Sequence, residues 1–383
     1  MNQALPPVPA VQTPQWLETV TDLEAWLEAH QQYPLALDTE FERVSTFFPI
    51  PGLVQLGAGD SLRLAEPSVV EQSSRFREVL ADPGKPKLLY AMGEDLELFR
   101  HWLSLEPRGL LDLQLGAALA GAGFSVGYAR LVESLFGETL DKSVTRSDWL
   151  ARPLSDAQLR YALDDVRFLL PLHDWVAARL EARGMPGAMA EESDRFADDL
   201  LALSEPGNWY LKLRGGWHLA PEKQGVLKAL VAWREEECRR RDRPRNRVLS
   251  DAALINLADR LPGTAGAMSG VEDVPPVVIR RYGDQLLAII GEAQTAGEVP
   301  DPLIERPLTR PQQDQYRKVK KLMARAAEQA DVPVELLAPR KRLESLLRQR
   351  DLKVLEVFAS GWRHQVLAPV LDDIKVLLEP RND

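Results

Sequence analysis

The sequence predicts an α/β first half followed by an all-α second half. In the first half of the chain, short apolar runs with strand-like alternation, such as Leu35–Phe41, are interspersed with segments that have helical spacing. In the second half, an apolar stripe at helical spacing runs from Val226 to Cys238, and further helical segments follow it. With 383 residues, the chain is long enough for two or three domains, each with its own core.

Composition places the chain among ordinary globular proteins and excludes several other classes. Hydrophobic residues make up 45% and charged residues 27% of the sequence. The N-terminus has no basic region followed by an apolar run, and no apolar stretch approaches the roughly 18–20 residues that span a bilayer. The one cysteine, Cys238, excludes an intramolecular disulfide and a cysteine-rich zinc site. These features predict a cytoplasmic protein without a membrane segment.

The charge balance limits how the chain can interact with nucleic acid. A net charge of −10 argues against a protein that coats nucleic acid through bulk electrostatics. It is compatible with an enzyme that gathers acids at a metal centre and keeps its basic residues local. The five histidines are scattered without the spacing of metal ligands, and we interpret them as surface or packing residues.

The first elements follow from local patterns in chain order. Residues 1–13 are Pro-rich and polar and are predicted to be disordered. Apolar residues at helical spacing predict a helix over Gln15–His30. After the first strand, short strands at Leu53–Gly57 and Ser61–Ala65 flank an Ala-Gly-Asp turn, which is typical of a hairpin. The sheet is therefore predicted to begin antiparallel.

Two carboxylates lie on one face of the strand Leu35–Phe41. Side chains alternate along a strand, so Asp38 and Glu40 point the same way, roughly 6–7 Å apart. Such a pair is costly at the end of an apolar strand unless a cation lies between the two groups, and Mg²⁺ or Mn²⁺ takes oxygen ligands. The alternative is an ordinary strand end with two solvated acids.

Three more polar side chains follow at places where ligand sites are common. The strand Lys87–Ala91 leads into a helix whose first turn carries Asp95, and strand ends that feed helices hold the ligand sites of open α/β sheets. The helix dipole favours an acid there even without a function. A later helix, with Ser155 as its N-cap, carries Tyr161 and Asp165 four residues apart and therefore on one face.

The order D-x-E, then D, then Y-x-x-x-D resembles the tyrosine form of the DEDD exonuclease superfamily. The stretches LALDTEF, FPIPGLVQLG, GEDLELF, DKSVTRSDWLARPLS and YALDDVRFLLPLH are all similar to the ribonuclease D family. The resemblance covers roughly residues 33–205. It implies a ribonuclease H-like fold, in which a mixed sheet is flanked by helices, and a 3′–5′ exonuclease domain over residues 14–200.

The resemblance also implies a mechanism with two divalent metal ions, Mg²⁺ or Mn²⁺. Two ions about 4 Å apart supply a nucleophile, in-line geometry and neutralisation of the leaving 3′-oxygen. Asp38 would bridge them, Glu40 and Asp165 would complete one ion's ligands, and Asp95 would hold the second ion through water. Tyr161 would orient the attacking water, because a phenol with a pKa near 10 is a poor general base.

Several residues in these motifs are predicted to contact the substrate. Phe41 follows the metal strand and either stacks on a terminal base or packs in the core. Four polar or aromatic residues lie in family-like motifs and are predicted to touch phosphates: Gln55, Arg146, Trp149 and Arg152.

The second half resembles helicase-and-RNase-D C-terminal (HRDC) domains, and this resemblance implies two small all-α helical-bundle domains after the α/β exonuclease domain. The acidic segment Glu191–Gly207 is interpreted as a linker. The stretch LKLRGGWHLAPEKQGVLKALVAWREEE carries the resemblance, and the first HRDC domain is expected over residues 207–293. A second, degenerate copy is expected over 301–383, with helices at Gln312–Gln329, Arg340–Gln349 and Gly361–Leu378.

Six arginines between positions 239 and 247 form the most basic stretch of the chain. Cations favour the C-terminal end of a helix dipole, so a solvated helix end is one interpretation. The other is a patch that holds the phosphates of a structured RNA, in which Arg239, Arg240 and Arg241 contact the substrate. The concentration of the cluster in an acidic protein favours the second.

The leading hypothesis is a divalent-metal-dependent 3′–5′ exoribonuclease that releases nucleoside 5′-monophosphates. By resemblance, its partner is RNA with a single-stranded 3′ end, with tRNA precursors as the expected substrate. A DNA 3′–5′ exonuclease would use the same acids, and recognition of the 2′-hydroxyl would distinguish the two. A third alternative is a non-catalytic RNA-binding scaffold, which would be expected to lack one or more of the acids. The absence of heptads favours a monomer.

Overall fold

The computed structural model describes residues 5–349 and 351–378. The chain divides into two compact units, and both consist of discontinuous segments. Unit 1 comprises Met1–Glu42, Pro51–Ala197 and Leu308–Asp383, and unit 2 comprises Arg43–Ile50 and Asp198–Pro307. A mixed sheet flanked by helices occupies unit 1, and unit 2 is helical. The predicted fold class is therefore confirmed.

Unit 1 is built on a six-stranded sheet with the strand order β1-β4-β3-β2-β5-β6. β3 and β4 form the predicted antiparallel hairpin, in which Ala58 pairs with Ser61. β1 is parallel to β4, and β5 is parallel to both β2 and β6. The strands are β1 (Trp16–Leu17), β2 (Leu35–Glu42), β3 (Ile50–Ala58), β4 (Ser61–Ala65), β5 (Lys87–Leu89) and β6 (Leu110–Asp112).

Helices flank this sheet and continue into the C-terminal segment of the same unit. The first group is α1 (Val20–Ala29), α2 (Pro67–Gln72), α3 (Ser74–Ala81), α4 (Gly93–Trp102), α5 (Leu113–Ala117), α6 (Tyr128–Phe136), α7 (Asp156–Arg167), α8 (Leu169–Ala182) and α9 (Ala188–Ser204). A π-helical turn at Ala118–Ala122 follows α5.

Unit 2 consists of helices around its own hydrophobic cluster. These are 3₁₀ turns at Pro206–Lys212 and Arg214–His218, then α10 (Pro221–Arg241), α11 (Arg245–Val248), α12 (Asp251–Arg260), α13 (Ala265–Met268) and α14 (Pro276–Ala296). Ser250 caps α12 as predicted, because its hydroxyl accepts the Ala253 N–H at 3.2 Å. Phe47, from the β2–β3 connection, belongs to the cluster of this unit.

The C-terminal helices of unit 1 share one hydrophobic cluster with the sheet domain. Val319 and Met323 are completely buried in it together with Leu113 and Val176. The helices are α15 (Arg310–Gln329), α16 (Val334–Leu337), α17 (Arg340–Gln349), α18 (Leu352–Phe358), α19 (Trp362–Leu367) and α20 (Leu371–Leu378), with a 3₁₀ turn at Ala368–Val370. The boundaries 207–293 and 301–383 for two HRDC copies stay predictions.

Two predicted elements differ from the structure for local reasons. The predicted helix over Gln15–His30 begins only at Val20, because Thr19 and Asp22 form a capping box. Trp16 and Leu17 instead pair with β4 as a short strand. The predicted linker at Glu191–Gly207 is largely helical, because α9 extends to Ser204.

The N-terminal segment also differs from the predicted disorder. Residues 1–4 lie outside the described residues, and residues 5–13 form no helix or strand. Nevertheless, the Pro9 carbonyl accepts a hydrogen bond from Arg167 Nε at 2.7 Å. Gln12 Oε1 accepts the Leu62 N–H at 3.3 Å. Across the described residues, no helix has an apolar stretch long enough to cross a membrane.

Candidate active site

The strand β2 lies between β3 and β5 and supplies the first two acids of the site. Leu35, Ala36 and Leu37 are buried, which anchors the strand in the core. Asp38 and Glu40 are half-buried on the face where α7 packs against β2.

The helix α7 supplies the third acid. Its start is fixed by the predicted cap, since the Ser155 hydroxyl accepts the Gln158 N–H while the Gln158 side chain accepts the Ser155 N–H. One carboxylate oxygen from each of Asp38, Glu40 and Asp165 lies within 4.8 Å of the other two. Acids that are far apart in the sequence therefore converge on one point.

Asp95 occupies the first turn of α4. This helix follows β5, the strand that pairs in parallel with β2. Its carboxylate accepts a hydrogen bond from the hydroxyl of Thr39, the residue between Asp38 and Glu40. Asp95 is not one of the three acids whose oxygens lie within 4.8 Å of one another. It is nonetheless close enough to raise the pKa of both Asp38 and Glu40.

The electrostatics of the site are those of an uncompensated acidic cluster. Burial and then the charges of Asp38 and Asp95 raise the pKa of Glu40 from 4.5 to about 9. Burial, followed by the charges of Asp165 and Asp95, holds the pKa of Asp38 well above its usual range. For Asp165, burial and the Glu40 charge raise the pKa, and a hydrogen bond from Tyr161 opposes them. Burial also raises the pKa of Asp95, to about 7.

This donor set fits a divalent cation. In the described part of the chain, the charges that shift the pKa of Asp38 and Glu40 all belong to other acids. Converging carboxylate oxygens that lack a basic partner are the ligands that Mg²⁺ and Mn²⁺ prefer. A bound cation would remove the mutual repulsion that raises these pKa values.

Tyr161 lies one helical turn before Asp165 on α7, as its spacing predicts. Its ring packs against Trp149, with ring centroids 5.8 Å apart. Burial raises the pKa of the Tyr161 phenol above its ordinary value of 10, and the charge of Asp165 raises it further. The hydroxyl therefore stays protonated at neutral pH and can donate a hydrogen bond.

Two residues predicted to touch phosphates have partners within the chain. Trp149 is only 3% exposed and is part of the hydrophobic core, so its side chain is not available to a phosphate. Arg152 pairs with Glu66 at 2.7 Å and donates to the Gly52 carbonyl at 2.6 Å. The sequence did not reveal these partners because they are 86 and 100 residues away.

Gln55 also differs from its predicted role. The residue is completely buried in β3, and its Nε2 donates to Asp38 Oδ2 at 3.2 Å. Gln55 therefore orients a site acid from the neighbouring strand rather than facing a phosphate. Its Oε1 has no hydrogen-bond partner among the described residues.

The remaining predicted contacts of unit 1 are accessible. Phe41 is half-exposed and is a member of neither hydrophobic cluster of the described residues, which favours the stacking interpretation over the core one. Arg146 is exposed.

Sequence reasoning missed Thr39 and Tyr128, although Thr39 stands between the two acids of the strand. The Tyr128 hydroxyl donates to the Asp164 carbonyl at 2.8 Å.

The arginine cluster lies in unit 2 and is partly neutralised there. Arg239 donates to Glu235 at 2.9 Å and stacks over Phe47 and Trp209. Arg240 and Arg241 both pair with Glu237. Of the three arginines predicted to contact RNA, Arg239 therefore has mainly internal partners.

The sheet, the converging acids and the tyrosine define the class of protein as a 3′–5′ exonuclease. The family model described as 3′-5′ exonuclease matches residues 14–181, and the HRDC domain model matches residues 223–290. The predicted enzyme class is confirmed.

The relatives narrow this class to one family. A ribonuclease D from Pseudomonas paraeruginosa is 38% identical over 363 residues, which cover 93% of this chain and 96% of that protein. The crystal structure of Escherichia coli RNase D, described as an exoribonuclease involved in structured RNA processing, matches with a TM-score of 0.85 and 32% identity, covering 95% of this chain and 98% of that one. The chain belongs to the ribonuclease D family and is a 3′–5′ exoribonuclease.

Proposed function

We propose that the chain trims structured RNA from its 3′ end with two divalent ions, Mg²⁺ or Mn²⁺, and releases nucleoside 5′-monophosphates. The observation that carries this proposal is the convergence of three carboxylate oxygens within 4.8 Å. Asp38, Glu40 and Asp165 would hold one ion, and Asp38 with Asp95 would hold the second. Bound ions would supply the activated water and neutralise the charge that develops on the leaving oxygen.

The side chains of the site divide the remaining work. Gln55 binds one oxygen of Asp38, which would leave the other oxygen available to a metal ion. Thr39 does the same for Asp95. Tyr161 would orient the attacking water for in-line attack by a hydrogen bond. Phe41 stacks on the terminal base, a contact that tolerates every base identity.

We propose tRNA precursors as the substrate, acted on by a monomer in the cytoplasm. Support comes from the E. coli relative, whose description names structured RNA processing. The HRDC domain that follows the exonuclease domain in the sequence would provide a second surface for the folded body of such an RNA. Trimming would then stop where the single-stranded 3′ end becomes too short to reach the acids.

The body of the RNA would contact a basic cavity of unit 2. This cavity of about 600 Å³ is lined by Arg241, Arg243, Arg247, Arg281 and Tyr282. Arg243 and Arg247 are exposed, and neither has a side-chain ion pair or hydrogen bond to any residue in the described ranges 5–349 and 351–378. We therefore extend the predicted arginine patch from Arg240 and Arg241 to these residues.

The test is hydrolysis of a 5′-labelled RNA with a structured body and a single-stranded 3′ tail. Wild-type protein should shorten the tail one nucleotide at a time in Mg²⁺ or Mn²⁺ and release 5′-monophosphates, and chelation with EDTA should stop it. A DNA of the same sequence should be degraded more slowly. Equal activity in excess EDTA would contradict the metal assignment, and equal rates on DNA would contradict the preference for RNA.

A further inference from the structure

The turn between β5 and α4 is held by a carboxylate from the neighbouring strand. Asp112 is the last residue of β6 and pairs with Leu89 of β5. Its Oδ1 accepts the Ala91 N–H at 3.1 Å, and its Oδ2 accepts the Met92 N–H at 3.0 Å. Both oxygens therefore bind consecutive backbone groups directly before α4.

This turn needs support because its backbone is strained. Ala91 has φ of +59°, in the left-handed region, which costs roughly 1–2 kcal/mol for a residue with a Cβ atom. Met92 is the N-cap of α4, yet it provides no side-chain hydrogen bond to the helix. Asp112 takes the place of a local cap. It stabilises the left-handed conformation of Ala91, which sets the direction of α4.

The β5–α4 connection sets the direction of α4, and this helix carries an acid of the site near its N-terminus. Asp95 is the third residue of α4, and its carboxylate meets the Thr39 hydroxyl of β2. Because Asp95 follows Met92 within a single helical turn, a change of the β5–α4 turn displaces the carboxylate directly. A shift of about 1 Å is enough to weaken a metal ligand.

Asp112 is itself held rigidly. The residue is 3% exposed, and its own N–H donates to Ser193 Oγ of α9 at 2.8 Å. Its Oδ1 also accepts the Gln114 N–H at 2.9 Å, which caps α5. A carboxylate with this many fixed partners acts as an anchor rather than as a mobile group.

We propose that Asp112 is a positioning residue for Asp95: it locks the left-handed turn at Ala91 and thereby sets the metal affinity of the site. This inference rests on the proposed function, because it takes Asp95 as a metal ligand. Partners that orient metal ligands typically contribute about 10–100-fold to metal affinity.

The test measures Mn²⁺ binding to the full-length protein by titration calorimetry without RNA, and kcat and KM for the RNA in parallel. The variant Asp112→Asn keeps the size of the side chain but replaces one acceptor with an amide N–H. We expect its dissociation constant for Mn²⁺ to rise about tenfold or more, with KM for RNA within about twofold of wild type. The control Asp22→Asn removes a similar hydrogen bond from the start of α1 and should leave Mn²⁺ binding unchanged.

Two further variants separate positioning from general destabilisation. Ala91→Val keeps Asp112 but disfavours the left-handed turn, so it should weaken Mn²⁺ binding in the same direction. Ala91→Gly combined with Asp112→Asn should recover part of the lost affinity, because glycine adopts a positive φ without cost. If Asp112→Asn does not fold, the Mn²⁺ affinity of Ala91→Val decides.

Mn²⁺ affinity within about twofold of wild type in folded Asp112→Asn or Ala91→Val would overturn the inference. Asp95→Asn serves as the reference for the proposed function. If Asp95→Asn loses Mn²⁺ affinity while Asp112→Asn does not, only the positioning role of Asp112 fails. If Asp95→Asn keeps both Mn²⁺ binding and hydrolysis, the ligand assignment fails and the inference fails with it.

Discussion

Among the described residues of unit 1, two groups of acids shielded from solvent differ in their partners: Glu192 has cations beside it, and the acids of the candidate active site do not. Glu192 of α9 is 6% exposed and pairs with Arg363 of α19, whose guanidinium donates to Glu192 Oε2 at 2.9 Å. Arg363 and Trp362 donate hydrogen bonds to Glu192 and hold its pKa below the usual value despite its burial. The pKa values of the acids on β2 and α7 are shifted upward instead, because burial raises them and the charges of neighbouring acids raise them further.

This contrast shows how to distinguish a structural acid from a functional one. A carboxylate that folding neutralises with an arginine is satisfied within the chain, and it contributes to stability. Carboxylates that folding brings together without a cation repel one another, and an external cation would relieve this repulsion. The two sites should therefore respond in opposite ways to removal of one acid.

Removal of an acid from the cluster should abolish hydrolysis without harming the fold. We expect Asp38→Ala or Asp165→Ala to lower kcat by at least about 10³-fold, because each removes a proposed metal ligand and its charge from the site. The melting temperature of the metal-free variants should equal or exceed that of wild type, since repulsion is relieved. Cleavage of end-labelled RNA and thermal unfolding check this, and ordinary turnover in Mg²⁺ would contradict the assignment.

Removal of one partner from the compensated pair should have the reverse effect. Glu192→Ala leaves Arg363, which is completely buried, without its carboxylate, and we expect a decrease of about 3–5 kcal/mol in the free energy of unfolding. Urea unfolding measures this. The control is Arg317→Ala, which breaks the exposed Arg317–Asp314 pair and should cost less than about 1 kcal/mol. Equal stability of the two variants would remove the contrast between the sites.

The pH dependence of metal binding sharpens the comparison further. The pKa of Glu40 is raised from 4.5 to about 9, so the folded protein binds more protons than the unfolded chain between these values. This group's contribution to metal-free stability therefore falls as the pH rises through that window. Mg²⁺ must displace the protons, so its affinity should rise by up to about tenfold per pH unit for each proton released.

Thermal unfolding with and without Mg²⁺ at about pH 6 and about pH 8 measures this effect. The gain in melting temperature on adding Mg²⁺ should be larger at the higher pH. In Asp38→Asn, the pH dependence of that gain should be weaker, because one of the interacting acids is gone. A gain that does not change with pH in wild type would mean that these carboxyls do not release protons to bind metal.

The parts of the fold and site that could be predicted from sequence are those that local patterns determine. The spacing of Asp38, Glu40, Tyr161 and Asp165 was readable because strand and helix periodicity decide which side chains share a face. Local caps likewise predicted the start of α7 at Ser155. The ligand roles of these residues stay predictions that the variants above test.

Some of the features that sequence reasoning missed depend on distant partners, and one has a local cause. The acidic segment around Glu192 was interpreted as a linker, because nothing local shows that Arg363 neutralises it 171 residues later. The predicted helix over Gly361–Leu378 is divided at Ala368–Val370, where Pro369 interrupts the helical hydrogen bonds. The roles of Gln55 and Trp149 were also set by tertiary contacts rather than by their motifs.

Unit 2 repeats the contrast with the opposite sign of charge. Arg239 and Arg245 pair with Glu235 and flank the Phe47 ring, so they are satisfied as Glu192 is. Arg243 and Arg247 are exposed and have no side-chain partner among the residues that the structure describes. Because these two arginines are exposed and have no partner in the described part of the chain, they are accessible to the phosphates of a bound RNA.

Arg243→Ala combined with Arg247→Ala should weaken the binding of long structured RNA. The slope of log affinity against log salt should decrease by about one unit for each phosphate that the variant no longer neutralises. Cleavage of short oligonucleotides should change little, because the acids of unit 1 are intact. The predicted pair Arg240→Ala with Arg241→Ala should have a smaller effect, since Glu237 already neutralises part of their charge. Filter binding over a salt series measures all three proteins, and an unchanged slope in both double variants would mean that this basic cavity does not bind phosphate.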